Sequence, residues 1–465
     1  MELLATHEIA QNALPRKPIR TANGVAPISV LVGPYPCPGE CIFCPQDSGM
    51  PKSYLSSEPI GRFALKHEFD PFEQVSARIR AYRLQRHLTN KFELLILGGT
   101  WTSYPLDYQD WFMKRCIDAM NGFEAGSLNE AVAANADAEF RNVTTAIETR
   151  PEHITEKTIH RLRRQGVTKV QIGIPTLRDD LLVLTRRGHT VEQALVAVGR
   201  LRRGGFKIGV EWMPNLPGSM PQADAEEYQR FWSEPGLRPD DIKILPCRVL
   251  PNTPLMDLYR QGRHRPYTRR ELVWLIGECL KATPDFARVA RVGRQFPMSE
   301  CRDEQPTNLY QLAQAELEFP FGGGGLRRLE IRGSDEAPGE CVPECESYES
   351  EGGMNYFLSL RTRRGGKIVG FTRLFCPTDQ AGVAVIRALN VVGPSAQLGD
   401  AQGGSAQHGG VGSFLLSTAE RIAGLRGFDG ICMNSAIGVR AYYERRGYVL
   451  AGREFELLRK RFAVA

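Results

Sequence analysis

At 465 residues the chain is too long for one ordinary hydrophobic core, so two or three domains are expected. A hydrophobic fraction of 42% with 24% charged residues excludes a disordered or fibrous chain, and a net charge of +6 is too small to reveal a polyanion partner by itself. No run approaches the ~20 apolar residues that cross a bilayer, and the first residues lack a basic region followed by a long apolar one; the expectation is a cytoplasmic protein with no membrane segment.

From residue 26 to about 246, short β-rich apolar runs alternate with amphipathic helical patterns. Strands are expected at "APISVLV" (26–32), "FELLILGGT" (92–100), "VTTAIETRP" (143–151), "KVQIGIP" (169–175), "KIGVEWMPN" (207–215) and "DIKILP" (241–246). Helical crossovers between them make the sheet parallel, and near-continuous apolar strands mean that both faces are covered. A partial (β/α) barrel explains the repetition, with a doubly wound sheet as the alternative; in either, chemistry belongs at the C-terminal ends of the strands. Residues 1–25 read as a basic N-terminal segment and 26–318 as the first domain. The Gly-, Pro- and acid-rich stretch 319–353 reads as a linker or irregular zinc-type module, and 354–465 as an α+β unit. That unit holds strands at "NYFLSLRT", "GKIVGFTRLF" and "VAVIRALNVVG", a helix over about 410–425, "GICMNSA", a helix near 438–446 and a final strand "YVLAGREFELL".

Eleven cysteines without an export signal favour metal ligation over disulfides. Three of them, Cys37, Cys41 and Cys44 in "PYPCPGECIFCPQD", follow the first strand directly. A structural zinc normally closes with four ligands, whereas a [4Fe–4S] cluster on three thiolates keeps one iron open for a substrate or cofactor. Both readings stand on ligand count alone. Gly98 and Gly99 end the second strand and allow close backbone approach to a ligand.

Further along, Gln407, Gly410 and Gly412 form Q-x-x-G-x-G at a helix start, where backbone N–H groups and the helix N-terminus suit a pyrophosphate such as that of coenzyme A. An ordinary glycine turn has the same composition. In "YYERRGY", Tyr443 or its neighbour Tyr442 can donate a proton, or simply pack in a core. Basic clusters lie at "PRKPIRT" (15–21), at "YRQGRHRPYTRR" (259–270) and at Arg288, Arg291 and Arg294; together they point to RNA, and singly each reads as a solvated face. Cys341 and Cys345, with the more distant Cys301, are candidate zinc ligands, with Cys247 or His264 as a fourth. Cys116, Cys279, Cys376 and Cys432 sit in apolar patterns and are expected in the core.

CxxxCxxC after the first strand of a (β/α) unit, with Phe43 before the last cysteine, resembles the radical S-adenosylmethionine (SAM) enzymes. In that family the "GGT" turn (98–100) binds the methionine amino group, and Glu148 and the strand end 171–175 fall where ribose and adenine lie. The C-terminal unit resembles GNAT-type acetyltransferases, in which the position of Tyr443 lies near the coenzyme A sulfur. The combination resembles the catalytic subunit of Elongator and its single-chain archaeal and bacterial relatives, carried by "KPIRTANGVA", "CIFCP", "LGGT", "IETRPEHI", "RRGHT", "WMPNLPGS", "RPDDIKILP", "QHGGVG" and "YYERRGY". Two departures stand out: the first cysteine gap is shorter than in eukaryotic members, and 319–353 does not match the family pattern.

This resemblance implies a tRNA-modifying enzyme acting on C5 of the wobble uridine, fed by an electron donor and binding the anticodon region through its basic clusters. Electron transfer from the [4Fe–4S] cluster would cleave SAM. The resulting 5′-deoxyadenosyl radical would take hydrogen from the acetyl methyl of acetyl-coenzyme A. Addition to uridine and thioester hydrolysis would then leave a carboxymethyl group. An unactivated methyl has no usable acidity, so a cofactor rather than acid–base side chains must do this work. The alternatives are a protein lysine acetyltransferase with a structural iron–sulfur domain and a non-catalytic tRNA-binding module.

Overall fold

The computed structural model describes residues 21, 24–87, 89–294, 296–317, 324–331, 340–378, 382–392, 410–451 and 457–462. The basic positions Arg16, Lys17 and Arg20 lie outside them, as does Gln407.

The first sheet holds seven parallel strands: β1 (Ala26–Leu31), β2 (Lys91–Leu97), β3 (Arg141–Thr149), β4 (Lys169–Gly173), β5 (Lys207–Trp212), β6 (Asp241–Ile244) and β7 (Arg288–Val292). Each pairs with its neighbour in sequence, giving the spatial order β1 to β7 without reversal. A doubly wound sheet would reverse direction partway, so the order decides for the half-barrel. The crossover helices begin where their sequences provide caps: Asp70 accepts the Glu73 N–H, and Thr190 and Thr268 form reciprocal capping boxes with Gln193 and Glu271. Strand β7 falls within the stretch read as a basic cluster. Val289 is buried, and a register shift that skips Ala290 pairs Arg291 with Lys243, so Arg288 and Arg291 share the face opposite Val289.

The second sheet has the order β13-β14-β12-β11-β10-β9-β8. Its strands are β8 (Cys341–Ser350), β9 (Gly353–Thr362), β10 (Ile368–Pro377), β11 (Val383–Val391), β12 (Gly430–Met433), β13 (Val449–Ala451) and β14 (Leu457–Arg461). Only β11 and β12 run parallel, and their pairing ends at Ile386 and Met433, so the rest of β11 diverges beside the helix Val411–Leu425. The stretch expected to be one final strand is two, β13 and β14, paired antiparallel.

Two expectations for 319–353 are corrected. Residues 341–350 are not linker; they form β8 and pair residue for residue with β9 from Cys341–Thr362 to Ser350–Gly353. In an extended strand, residues four apart are separated by about 13 Å, whereas thiolates on one tetrahedral zinc lie about 4 Å apart. Cys341 and Cys345 therefore cannot share a zinc. Cys301 is buried in the first domain among Leu55, Leu250 and Phe296, and Cys247 in a separate apolar cluster with Leu216 and Val249. Neither zinc nor a zinc module is supported.

The two sheets meet across a buried seam. Leu326 and Leu329 pack with Phe286 of the first domain and with Phe357, Ile368 and Phe371 of the second. Tyr348 stacks on Phe286 at 4.1 Å. At the centre Asp240, fully buried, accepts both Arg387 Nη1 (2.6 Å) and Nη2 (2.9 Å), pairs with Arg373 at 3.2 Å, and accepts the Ile208 N–H at 2.8 Å. Burial opposes its charge, but the Arg387 and Arg373 guanidiniums hold its carboxyl below the usual range.

Candidate active site

Every strand of the half-barrel contributes to one cavity at its C-terminal rim. The loop after β1 brings Cys37, Cys41 and Cys44 into it; β2 contributes Gly99 and Thr100, β3 Glu148 and Arg150, and β4 Gly173 and Pro175. Glu211 comes from β5, Lys243 from β6, and Arg291 and Arg294 from β7 and its end. The cysteine loop is pinned by backbone bonds to distant segments, from Ile42 N to Thr185 O (3.1 Å) and from Leu255 N to Ile42 O (3.0 Å).

Gly98 and Gly99 adopt φ of +121° and +59°, the region favouring glycine. A Cβ on Gly98 would lie 2.4 Å from Val32 Cγ2, so the turn packs directly on the root of the cysteine loop. At Gly99 a Cβ would meet nothing closer than Lys52 O at 3.9 Å, which leaves that peptide open to the cavity.

The thiols differ in environment. Arg150 Nη1 and Arg187 Nη1 point at Cys41 Sγ from 3.6 and 3.5 Å. Burial alone would push this thiol up, but the two guanidiniums hold it below its ordinary range. Cys44 is pushed up to about 11, chiefly by burial and then by the Cys41 charge. Gly39 N–H donates to Cys37 Sγ at 3.4 Å. Three thiols on one cavity, one of them faced by two guanidiniums, fit a three-ligand iron–sulfur cluster with open space beside it.

Across the cavity, Lys243 Nζ donates to Glu148 Oε1 (3.0 Å) and Glu211 Oε1 (2.6 Å), and Tyr54 Oη donates to Glu148 Oε2 (3.2 Å). Burial opposes charge on all three ionisable groups. Lys243 outweighs it at Glu211, which lies below the usual carboxylate range; Glu148, facing Glu211, is pushed above it; the two carboxylates hold Lys243 up. Arg294 donates to Ser53 Oγ at 2.6 Å, pairs with Glu58 at 3.2 Å and lies over the Tyr54 ring at 4.6 Å.

Arg294 therefore belongs to the cavity and not to an RNA-facing surface, and Arg288 pairs with Glu330 of the connecting segment. In 259–270 all five arginines are exposed and so is Tyr259, but Tyr267 is buried with its hydroxyl donating to Asp224 at 2.8 Å, which removes it as a stacking surface.

In the second domain Gly410 caps the helix Val411–Leu425 at φ +80°, with no side-chain cap, and the helix starts beside the diverging end of β11. A Cβ on Gly412 would lie 3.0 Å from Tyr442 Oη, a buried hydroxyl with no hydrogen-bond partner among the described residues. Tyr443 is buried between Tyr442 (5.1 Å) and Tyr448 (5.9 Å), and burial raises its phenol above the ordinary range.

Sequence reasoning missed Tyr54, Arg150, Arg187, Glu211 and Lys243, and assigned Arg294 to an RNA-binding cluster instead of the cavity. A usable signal existed for three of the cavity's charged groups. Glu148, Glu211 and Lys243 each interrupt an apolar strand one or two residues from its end. No comparable signal marks the arginines, which come from strand ends and loops.

Comparison with known proteins agrees with this architecture. The Radical SAM superfamily matches residues 35–221, and the Radical_SAM C-terminal domain matches 239–318. The tRNA uridine(34) acetyltransferase of Methanocaldococcus jannaschii is 36% identical, spanning 96% of this chain and 87% of its own length. Elongator complex protein 3 of Danio rerio is 30% identical over 94% of this chain and 85% of its own. Among solved structures, archaeal Methanocaldococcus infernus Elp3 with an N-terminal deletion superposes with a TM-score of 0.83 at 31% identity, covering 95% of this chain and all of that one. No described helix is long and apolar enough to cross a membrane.

Proposed function

Because the chain belongs to the family of Elongator complex protein 3 and the tRNA uridine(34) acetyltransferases, we propose that it modifies the wobble uridine of tRNA by radical SAM chemistry, drawing an acetyl unit from acetyl-coenzyme A and leaving a carboxymethyl group on C5. The observation that carries this reading is the convergence of Cys37, Cys41 and Cys44 with strand-end polar groups on one cavity, in a chain whose second domain opens a glycine-capped helix.

Cys37, Cys41 and Cys44 hold the [4Fe–4S] cluster. When bound, cluster and SAM together supply a carbon-centred radical able to take hydrogen from an unactivated methyl. The open peptide at Gly99 receives the polar end of SAM, and Glu148, kept in place by Lys243 and Tyr54, accepts from its hydroxyl groups. Low dielectric in the cavity strengthens each of these contacts. In the second domain Gly410 and Gly412, at the start of the helix, face the pyrophosphate of coenzyme A, with Gln407 the further candidate from the sequence, and Tyr443 returns a proton to the leaving thiolate. The exposed arginines of 259–270 hold phosphates of the anticodon region. A one-electron donor completes the system, and the cytoplasm, where thiols stay reduced and tRNA is present, is its compartment.

The test is anaerobic reconstitution with iron and sulfide, followed by reductant, SAM, acetyl-labelled coenzyme A and tRNA. Label should enter tRNA and be lost on Cys41→Ser. Label in protein that survives Cys41→Ser would replace this reading with a lysine acetyltransferase, and tRNA binding with no turnover would replace it with a binding module. An iron-free protein after reconstitution would sink it.

A further inference from the structure

Three glycines in the first domain leave room for two arginines. A Cβ on Gly39 would lie 2.1 Å from Arg150 Nη1, one on Gly173 2.5 Å from Arg187 Nη2, and one on Gly188 3.1 Å from Arg150 Nη2. Any side chain there would push a guanidinium off its position.

The two guanidiniums are buried, at 4% and 9% exposure, and fixed by distinct partners. Arg150 is held by Glu152 and by the carbonyl of Arg187, and Arg187 by the Gly173 carbonyl at 2.8 Å. Their remaining Nη1 groups converge on a single atom, Cys41 Sγ. Two buried like charges face one carboxylate, Glu152, and the adjacent His189 is uncharged, its pKa lowered by burial and then by Arg187 and Arg150 to about 3. The set carries one positive charge in excess, and the atom both guanidiniums face is the Cys41 sulfur. An isolated buried guanidinium pair is unfavourable, so this arrangement requires a partner that stays negative.

A three-thiolate [4Fe–4S] centre is anionic and gains a further negative charge on reduction. Hydrogen bonds to cluster sulfurs and nearby charge are the protein's means of setting its potential. We propose that Arg150 and Arg187 form a paired guanidinium clamp on the Cys41 ligand that stabilises the reduced cluster and so raises its reduction potential. The clamp rests on the cluster reading of the cysteine loop. It acts through Cys41 and needs no contact with tRNA or acetyl-coenzyme A, so failure to modify tRNA would leave it intact.

The test compares anaerobically reconstituted wild type, Arg187→Met and Arg187→Lys. Iron and sulfide content are measured first, and the midpoint potential is then followed by EPR during redox titration in the absence of SAM. The expected result is near-complete iron loading with the reduced-to-oxidised ratio at a fixed potential lowered about tenfold in Arg187→Met, a shift of about 59 mV for one electron. Arg187→Lys, which keeps charge but loses the planar fork, should lie between. A variant with full iron and an unchanged potential overturns the clamp. Should Arg187→Met load poorly, Arg187→Lys decides by the same criterion. Loss of iron from both variants also overturns it, because the pair would then serve assembly and not potential.

Discussion

Lys243→Met tests the charge balance of the cavity. The ammonium bridges Glu148 and Glu211 at 3.0 and 2.6 Å, and the side chains are 18%, 13% and 24% exposed, so water screens them poorly. Methionine keeps the volume but leaves two facing carboxylates without a cation. Breaking a buried ion pair by removing one partner costs about 3–5 kcal/mol. For a domain of this size that is a fall in Tm of roughly 6–10 °C at neutral pH. The pH dependence gives the sharper criterion. In the wild type the depressed carboxyl of Glu211 contributes stability that is present above its unfolded pKa and is lost as pH falls through the folded value, while the raised carboxyl of Glu148 works in the opposite sense. Without Lys243 both carboxyls are raised, so stability should increase on acidification from pH 8 to pH 5. Differential scanning calorimetry across that range, on the same buffers for both proteins, measures it. A Lys243→Met curve parallel to that of wild type would refute the assignment of Lys243 as the cation that both carboxylates require.

Three further outcomes are expected. Asp240→Asn strands Arg387 and Arg373 at the seam between the sheets and should destabilise it by about 3–5 kcal/mol, seen as an earlier or split unfolding transition; wild type should approach the mutant as pH drops through the depressed Asp240 pKa, below the ordinary aspartate range. Gly98→Ala places a methyl 2.4 Å from Val32 at φ +121°, so stability should fall by about 1–3 kcal/mol, and SAM affinity with it, measured by thermal shift and equilibrium binding. Tyr443→Phe should slow coenzyme A release at least about a hundredfold if its phenol is the proton donor, whereas Tyr442→Phe removes a buried hydroxyl unpartnered among the described residues and should hold or raise the Tm; a larger rate loss in Tyr442→Phe would exchange the two roles.

The sequence carried the half-barrel because parallel strands buried on both faces must be apolar runs, and six of the seven announce themselves in that way. The seventh escaped because two of its five residues are arginines with partners of their own, Arg288 on Glu330 and Arg291 on the cavity, so β7 read as part of a charge cluster. Acidic composition and Pro343 likewise disguised β8, whose exposed positions need only a backbone partner in β9.

By itself the sequence determined the cysteine loop, its place after the first strand and the glycine turn beside it, since chain order fixes which rim a loop joins. Only the tertiary structure decided what each charge does. Arg187 and Arg150 reach Cys41 across 146 and 109 residues, and Asp240 meets Arg387 across 147. An arginine looks the same in sequence whether it faces water, a phosphate or a buried sulfur. The physical reason is that its role is set by the partner and the dielectric that folding places around it, and neither is local to the chain.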